Sequence, residues 1–305
     1  MPRKNRETLV IIVSWNSRGE ISRSLPKILN MNGSFDVLVV DNNSSDDTRE
    51  FIQSNYSKVK VINSGDNLGY AGGNNVGFKY AIQQGYKNVF VVGPDVYVEK
   101  NCFVELLSSI GSKPKVATAS PKIYYSKPKR TIWYAGSWMD WSSGAAMIRG
   151  YREIDRGEYD RSEATDGIIG AAMLLKVNVL NKVGFLDERF FMYCEETDLS
   201  LRIQEAGFVN MYVPRALAIH NVSASTGGEG NAFQIYYYTR NTLLLVEKHN
   251  KIMIEKVRNH LSETAQTEIF EGLKHFSWAR VRVGFARLRG IRDYKLRNFG
   301  RRSAG

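Results

Sequence analysis

The sequence predicts an α/β protein: a mixed, mostly parallel sheet flanked by helices, followed by a helical, basic C-terminal extension. Three observations carry this. Short apolar runs alternate with helical patterns through the first hundred residues. Polar residues stand just after the ends of those runs. From Glu271 to Gly305, ten Lys or Arg face only two acids, while the whole chain carries a net +11.

Thr8 to Trp15 reads as a strand, Ile21 to Leu29 as a helix and Asp36 to Val40 as a strand. Asp46 to Ser54 follows as a helix, Val59 to Ile62 as a short strand, Gly72 to Gln84 as a helix and Asn88 to Val92 as a strand. Ligands of such sheets sit at the carboxyl ends of the strands. Asn16, Asp41, the loop around Asn67 and Asp95 all occupy that level, which predicts one crevice. Further on, Val116 to Ala119, Thr131 to Trp138 and Ala145 to Tyr151 look like strands joined by longer loops. Ile168 to Lys176 is apolar and runs into a short helix ending near Gly184. Glu195 to Ala206 is a clear helix, with Leu199, Ile203 and Ala206 on one stripe. Met211 to Val213 and Ala216 to Ile219 are short strands. Ser223 to Gly230 reads as a mobile, glycine-rich loop. Helices then cover Phe233 to His249 and about Lys251 to Phe276, before the basic tail. The division expected is 1–250 and 251–305.

Composition narrows the class. The 305 residues are 43% hydrophobic and 24% charged, ordinary for a globular protein. No apolar stretch reaches the roughly 18 to 20 residues of a membrane-spanning helix. The basic start followed by Leu9 to Trp15 resembles a signal peptide only superficially; a first core strand fits better. Cys102 and Cys194 are too few for a disulfide framework and read as buried thiols in a reducing compartment. Four scattered histidines argue against a multi-histidine metal site.

Several stretches invite both a structural and a chemical reading. In VVDNNSSDDT (39–48), Ser44 to Asp47 suit a helix start, whereas Asp41, still attached to its apolar run, can accept hydrogen bonds from a base or ribose. NLGYAGGNNVG (67–77) opens a helix with glycines, as a tight turn or a close approach to an anion. It is neither a P-loop nor a dinucleotide fingerprint. In GPDV (93–96), Asp95 is a turn acid or a ligand of a hard cation. FFMYCEETDLSLR (190–202) puts Glu195, Glu196 and Asp198 in the first turn of a helix, where acids offset the dipole. Asp198 and Arg202 fit a helix-surface pair. Phe190, Phe191, Met192 and Tyr193 immediately precede the acids and predict desolvated carboxylates with raised pKa, usable as a general base. His220 is a structural histidine, or a metal or phosphate contact.

Taken in order, VSWN (13–16), VVDNNSSDDT, NLGYAGGNNVG, GPDV, GAAMLLK (170–176), FFMYCEETDLSLR, His220 and YYYTRNTLLL (236–245) resemble the family 2 inverting glycosyltransferases. These have the Rossmann-like GT-A fold, and the similarity is closest to their rhamnosyltransferase-like subgroup. It spans Leu9 to His249. The resemblance implies that Asp41 recognises the nucleoside base beside Ser14, Trp15 and Asn16, and that Asn67, Gly69 and Asn74 line the nucleotide. It implies that Asp95, with His220, holds Mg²⁺ or Mn²⁺. Either Glu196, which is favoured, or its neighbour Glu195 would be the general base, and Arg240 and Asn241 a polar pair near the donor. Two departures stand out. Gly93 replaces the first acid of the family's Asp-x-Asp element, and the base pair is Glu-Glu rather than Glu-Asp.

The implied reaction is a metal-assisted single displacement on a nucleotide-diphosphate sugar, with a glycan or lipid-linked hydroxyl as acceptor. Trp278, Val281, Phe285 and Leu288 follow helical spacing among Arg280, Arg282, Arg287 and Arg289. This stripe predicts contact with an anionic membrane surface, or cover by the catalytic domain or by a second copy in a homodimer. The expected location is cytoplasmic, peripheral on the membrane face. A non-catalytic nucleotide-sugar binder and a nucleotidyltransferase are the alternatives. A nucleic-acid partner is not expected, because the landmarks lie outside the short basic tail.

Overall fold

The computed structural model describes residues 7–222 and 230–302. All but Gly230 of the loop expected at Ser223 to Gly230 lies outside the described residues. The chain begins with β1 (Thr8–Ser14), α1 (Arg18–Leu29), β2 (Asp36–Asp41), α2 (Thr48–Asn55), β3 (Lys60–Asn63), α3 (Gly69–Gln83) and β4 (Asn88–Val92). These follow the expected alternation. Next come β5 (Val96–Val98), α4 (Cys102–Ser112), β6 (Val116–Tyr125), β7 (Ile132–Tyr134), β8 (Ser137–Asp140), β9 (Ala145–Ile148), β10 (Glu163–Ala164) and β11 (Ala172–Lys176). The remainder is α5 (Val177–Val183), α6 (Glu195–Glu205), β12 (Val209–His220), α7 (Ala232–His249), α8 (Ile254–Lys274) and α9 (Trp278–Lys295).

The main sheet runs β3-β2-β1-β4-β11-β6-β12-β10. Its β3, β2, β1 and β4 are parallel, β11 is antiparallel to both neighbours, and β6 and β12 are parallel. Strand β1 explains why its sequence is a continuous apolar run rather than an alternating one. Val10 and Ile12 pack into the core that holds Leu25 of α1 and Phe103 of α4, while Leu9 and Ile11 face Phe78 of α3 and Leu199 of α6. A strand covered on both faces needs apolar side chains at every position.

Three differences from the expected elements have local causes. Helix α4 was not anticipated, although Phe103, Leu106 and Ile110 keep a helical period and are buried. The single strand expected over Thr131 to Trp138 is divided at Gly136, whose φ of +92° turns the chain between β7 and β8. The two strands expected around Pro214 are one, β12, with a register shift between Val213 and Leu217. Proline cannot donate to the ladder, so the strand bulges there instead of ending.

The last three helices pack together. A Cβ on Gly284 would come within 2.8 Å of the Ala265 carbonyl oxygen on α8, and one on Gly290 within 2.7 Å of the Tyr236 carbonyl oxygen on α7. Glycine at these two crossings lets α9 lie directly on both neighbours. The stripe expected to run along α9 is therefore divided. Val281 is buried, whereas Trp278 and Phe285 remain exposed. No helix among the described residues is long and apolar enough to cross a membrane.

Candidate active site

Parallel pairing sets Ser14 beside Asp41 at the ends of β1 and β2. Asp41 is 1% exposed. Its carboxylate accepts from the Ser44 backbone N–H (3.1 Å), the Ser44 hydroxyl and the Ser14 hydroxyl (3.4 Å). Asn16 adopts φ +49°, and its side-chain oxygen accepts from the Ser45 N–H at 2.8 Å. These bonds tie the loop after β1 to the loop after β2. Trp15, between them, is 47% exposed. The rim therefore offers a buried acid and, one residue on from its Ser14 neighbour, an exposed aromatic side chain, a combination that suits a planar heterocycle with a hydrogen-bonding edge.

The glycine-rich start of α3 has a different use from the close ligand approach considered above. Gly69, at φ +68°, would place a Cβ 2.3 Å from the Phe191 carbonyl oxygen, and Gly73 would place one 2.6 Å from Val13. These glycines let α3 lie against β1 and against the loop before α6. Asn67 turns its side-chain oxygen to the Gly69 N–H at 3.0 Å. Asn74 is buried; its side-chain amide donates to the Tyr70 carbonyl at 2.9 Å, and its side-chain oxygen has no hydrogen-bond partner among the described residues.

Asp95 follows the turn after β4 and meets His220 at the end of β12, because β5 pairs with β12 in a register that places Val96 opposite His220. His220 Nε2 lies 3.3 Å from Asp95 Oδ2, and its ring packs edge-on against Trp133 at 4.2 Å between centroids. His220 Nδ1 is buried with no hydrogen-bond partner among the described residues. One carboxylate oxygen and one imidazole nitrogen thus converge at a strand end. No cluster of three or more His, Cys, Asp or Glu able to hold a metal occurs among the described residues. The pair fits a divalent cation whose other ligands come from a diphosphate, the usual pattern for Mg²⁺ with nucleotides.

Glu195 and Glu196 open α6 after an unusual turn: Phe191, Tyr193 and Cys194 all have positive φ, at +66°, +69° and +72°. Non-glycine residues rarely adopt this region and need surrounding contacts to hold them there. Those contacts come from α7. Asn241 Nδ2 donates towards the carbonyls of Phe190, Met192 and Tyr193 at 2.8–2.9 Å, and Arg240 Nη2 to those of Arg189 and Phe190 at 3.2 and 2.9 Å. Arg240 Nη1 also reaches the Gly300 carbonyl at 2.8 Å. Arg240, expected to face the nucleotide, is fully buried and directed at backbone carbonyls. Its guanidinium is engaged behind the turn that delivers the acids.

Burial pushes both glutamates above the usual carboxylate range, as their aromatic surroundings predict. Glu195 also feels the charges of Glu196 and Asp198, which push it the same way. For Glu196, the backbone N–H groups of Glu196 itself, Gly170 and Thr197 oppose the effect of burial. The aromatic wall is only partly the one read from the sequence. Phe190 is turned into a separate apolar cluster, while Tyr70, Tyr134 and Tyr238 feel the charge of Glu196. They come from α3, β7 and α7, and no spacing signal links them to α6. The Gly170–Ala172 segment joins the two halves of the site. The Gly170 N–H faces Glu196, while the Ala171 carbonyl accepts from the Gly93 N–H at 2.9 Å, two residues before Asp95.

Asp198 is no surface acid, contrary to the helix-surface pair expected with Arg202. It is fully buried and bound by Arg202 (2.8 Å), Lys248 (2.6 Å) and His249 (2.9 Å). These contacts hold its pKa below the usual range although burial pushes the other way. The network locks α6 to the end of α7. A second buried charge, Lys122, pairs with Asp155 (2.8 Å) and Asp160 away from these residues; sequence reading did not detect it.

The profile of "Glycosyl transferase family 2" matches residues 9–184, more than half of the chain. The chain belongs to this family. The glycosyltransferase is 26% identical over 245 residues to the low-salt glycan biosynthesis hexosyltransferase Agl10 of Haloferax volcanii, covering 77% of this chain and 74% of the relative. It is 24% identical over 269 residues to the N-acetylglucosaminyl-diphospho-decaprenol L-rhamnosyltransferase of Mycobacterium tuberculosis, covering 79% and 84%. Among solved structures, the mannosyltransferase PcManGT of Pyrobaculum calidifontis, in complex with GDP-Man and Mn²⁺, superposes with a TM-score of 0.60 at 13% identity, over 96% of this chain and 89% of that one. The glycosyltransferase thus has the GT-A fold. Transfer from a nucleotide sugar is the activity of this chain.

Proposed function

We propose that the protein is an inverting glycosyltransferase in which Glu196 is the general base. The observation that carries this is the unequal pair at the start of α6. Two adjacent buried carboxylates with different environments divide the roles of neutral and ionised acid. Burial and the neighbouring charges of Glu196 and Asp198 push Glu195 upward. Glu196 has three backbone N–H groups supporting its charged form, and its residue is less buried than Glu195.

In the proposed reaction, Glu196 accepts the proton of the acceptor hydroxyl while that oxygen bonds to the anomeric carbon. The bond from that carbon to the diphosphate oxygen breaks with its electron pair, and configuration inverts. Asp41, Ser14 and Asn16 orient the nucleoside, with Trp15 as its stacking face. Asn67 and Gly69 shape the loop beside it. Asp95 and His220 would hold Mg²⁺ or Mn²⁺, which when bound supplies Lewis-acid stabilisation of the departing diphosphate. An imidazole in the donor set favours Mn²⁺ over Mg²⁺. The acceptor is a hydroxyl of a glycan or of a lipid-linked sugar.

The test compares Glu196→Gln with Glu195→Gln. Glu196→Gln lowers kcat at least a thousandfold with little change in nucleotide affinity, whereas Glu195→Gln retains most of the rate. The opposite ranking moves the base to Glu195.

A further inference from the structure

Behind the Arg240–Asn241 bracket, a cavity of about 640 Å³ opens between α7, α9 and the 298–302 segment. This size lies within the roughly 300–1,000 Å³ typical of small-molecule sites. Arg289, Arg292 and Arg302 line it, with Tyr236, Asp293 and Phe299. The one carboxylate, Asp293, accepts from the Tyr236 hydroxyl at 2.6 Å. Arg289 and Arg292 have no acidic partner among the described residues; elsewhere on α9, Arg287 pairs with Glu268. Exposed arginines brought together in a concavity repel one another and offer forked donors suited to phosphate oxygens.

A second cavity, of about 460 Å³, shares Arg289 and Arg302 with the first. Its other walls are Ala232, Phe233, Phe285 and Ala286, with Arg282 at the side. Phe233 and Phe285 are exposed there. An anion pocket therefore continues into an apolar trough. That sequence of surfaces matches one molecule with a phosphate head and a hydrocarbon chain.

The position relates the pocket to the proposed chemistry. The Gly300 N–H donates to the Arg189 carbonyl at 2.8 Å, and the Arg302 N–H to the Tyr237 hydroxyl at 2.9 Å. Tyr237 stacks on Phe191 at 5.3 Å, within the turn that leads to Glu195 and Glu196. Arg301 reaches Asp66, beside the Asn67 loop, at 2.9 Å.

We propose that this pocket and trough hold a lipid diphosphate, the carrier part of a lipid-linked sugar acceptor. The arginines take the diphosphate, and the hydrocarbon chain leaves across Phe233 and Phe285. This rests on the glycosyltransferase reading and deepens it by naming the acceptor class. A concave, arginine-lined site bordered by a trough fits a single lipid better than a flat bilayer face.

The test is calorimetric titration of the full-length protein in EDTA with farnesyl diphosphate, inorganic diphosphate and farnesol, with flotation on phosphatidylglycerol vesicles alongside. Farnesyl diphosphate should bind at least tenfold more tightly than either fragment. Arg289→Ala/Arg292→Ala should weaken it at least tenfold, while Asp95→Ala leaves it unchanged. Phe233→Ala/Phe285→Ala should remove the preference over inorganic diphosphate. Arg289, Arg292, Phe233 and Phe285 are exposed, and thermal melting confirms folding of every variant. Wild-type affinity in the arginine variant, equal binding of farnesyl and inorganic diphosphate, or flotation without farnesyl diphosphate binding would overturn the proposal. Nucleoside diphosphate titration of the wild type with Mn²⁺ reports on the donor site separately, so failure of the glycosyltransferase reading is distinguishable.

Discussion

The side-chain amide of Asn241 donates to the Tyr193 carbonyl at 2.8 Å, across 48 residues of sequence. That bond, with those to Phe190 and Met192, holds a run of left-handed residues immediately before the acids of α6. Strained backbone of this kind costs on the order of 1 to 3 kcal/mol per residue and persists only where the surroundings impose it. Asn241→Leu removes the donors and leaves buried carbonyls unpaired, a loss of about 2 to 3 kcal/mol of stability. The expected result is a kcat at least tenfold lower with nearly unchanged nucleotide affinity. Steady-state kinetics and nucleotide titration check it; a purely structural role would lower the melting temperature without that split.

The raised pKa of Glu196 predicts the acid limb of the rate profile. A general base works only when ionised, so activity falls as pH drops through its pKa. That midpoint lies above the ordinary 4.5 because burial disfavours the charge. A kcat–pH profile of the wild type shows it. A midpoint at or below 4.5 would contradict the burial of the acid.

The Asp198 network predicts opposite pH limits on stability. His249 has a raised pKa: burial opposes the proton, but Asp198 and Glu205 outweigh it. Its contribution is complete below the ordinary 6.5 and fades as pH climbs through the raised value. Asp198 has a lowered pKa, so its contribution is present above the ordinary 3.8 and is lost as pH falls through the lowered value. Arg202 and Lys248 also contact Asp198, at 2.8 and 2.6 Å. Melting temperatures of wild type and His249→Gln should differ most near pH 6 and converge at alkaline pH.

Asp95 and His220 are predicted to act together on the metal-dependent part of donor binding. Asp95→Ala should remove at least tenfold of the gain in nucleoside diphosphate affinity that Mn²⁺ provides, and leave metal-free affinity unchanged. His220→Ala should remove a smaller part. Calorimetry with and without Mn²⁺ measures both. An undiminished Mn²⁺ gain in the Asp95 variant would exclude this pair as the cation site.

The sheet was legible from the sequence because a strand buried on both faces must be apolar throughout, as Leu9 to Ile12 are, and because helices announce themselves by period. Family membership followed from ordered motifs, and the placement of Asp41, Asp95 and Glu196 at element ends followed from local sequence alone. What local sequence does not contain is which distant groups meet those ends. His220 reaches Asp95 because β5 and β12 pair, and the tyrosines around Glu196 arrive from α3, β7 and α7. Arg240 could be marked as polar and near the site, but only packing shows that it turns to backbone carbonyls. The glycines of α3 likewise read as openings for a ligand until Val13 and Phe191 are seen against them. Sequence by itself determined the elements and the acids they carry, since periodicity and chain ends are local properties. Tertiary structure alone decided the surroundings of each acid, because burial and charge depend on groups far apart in the chain.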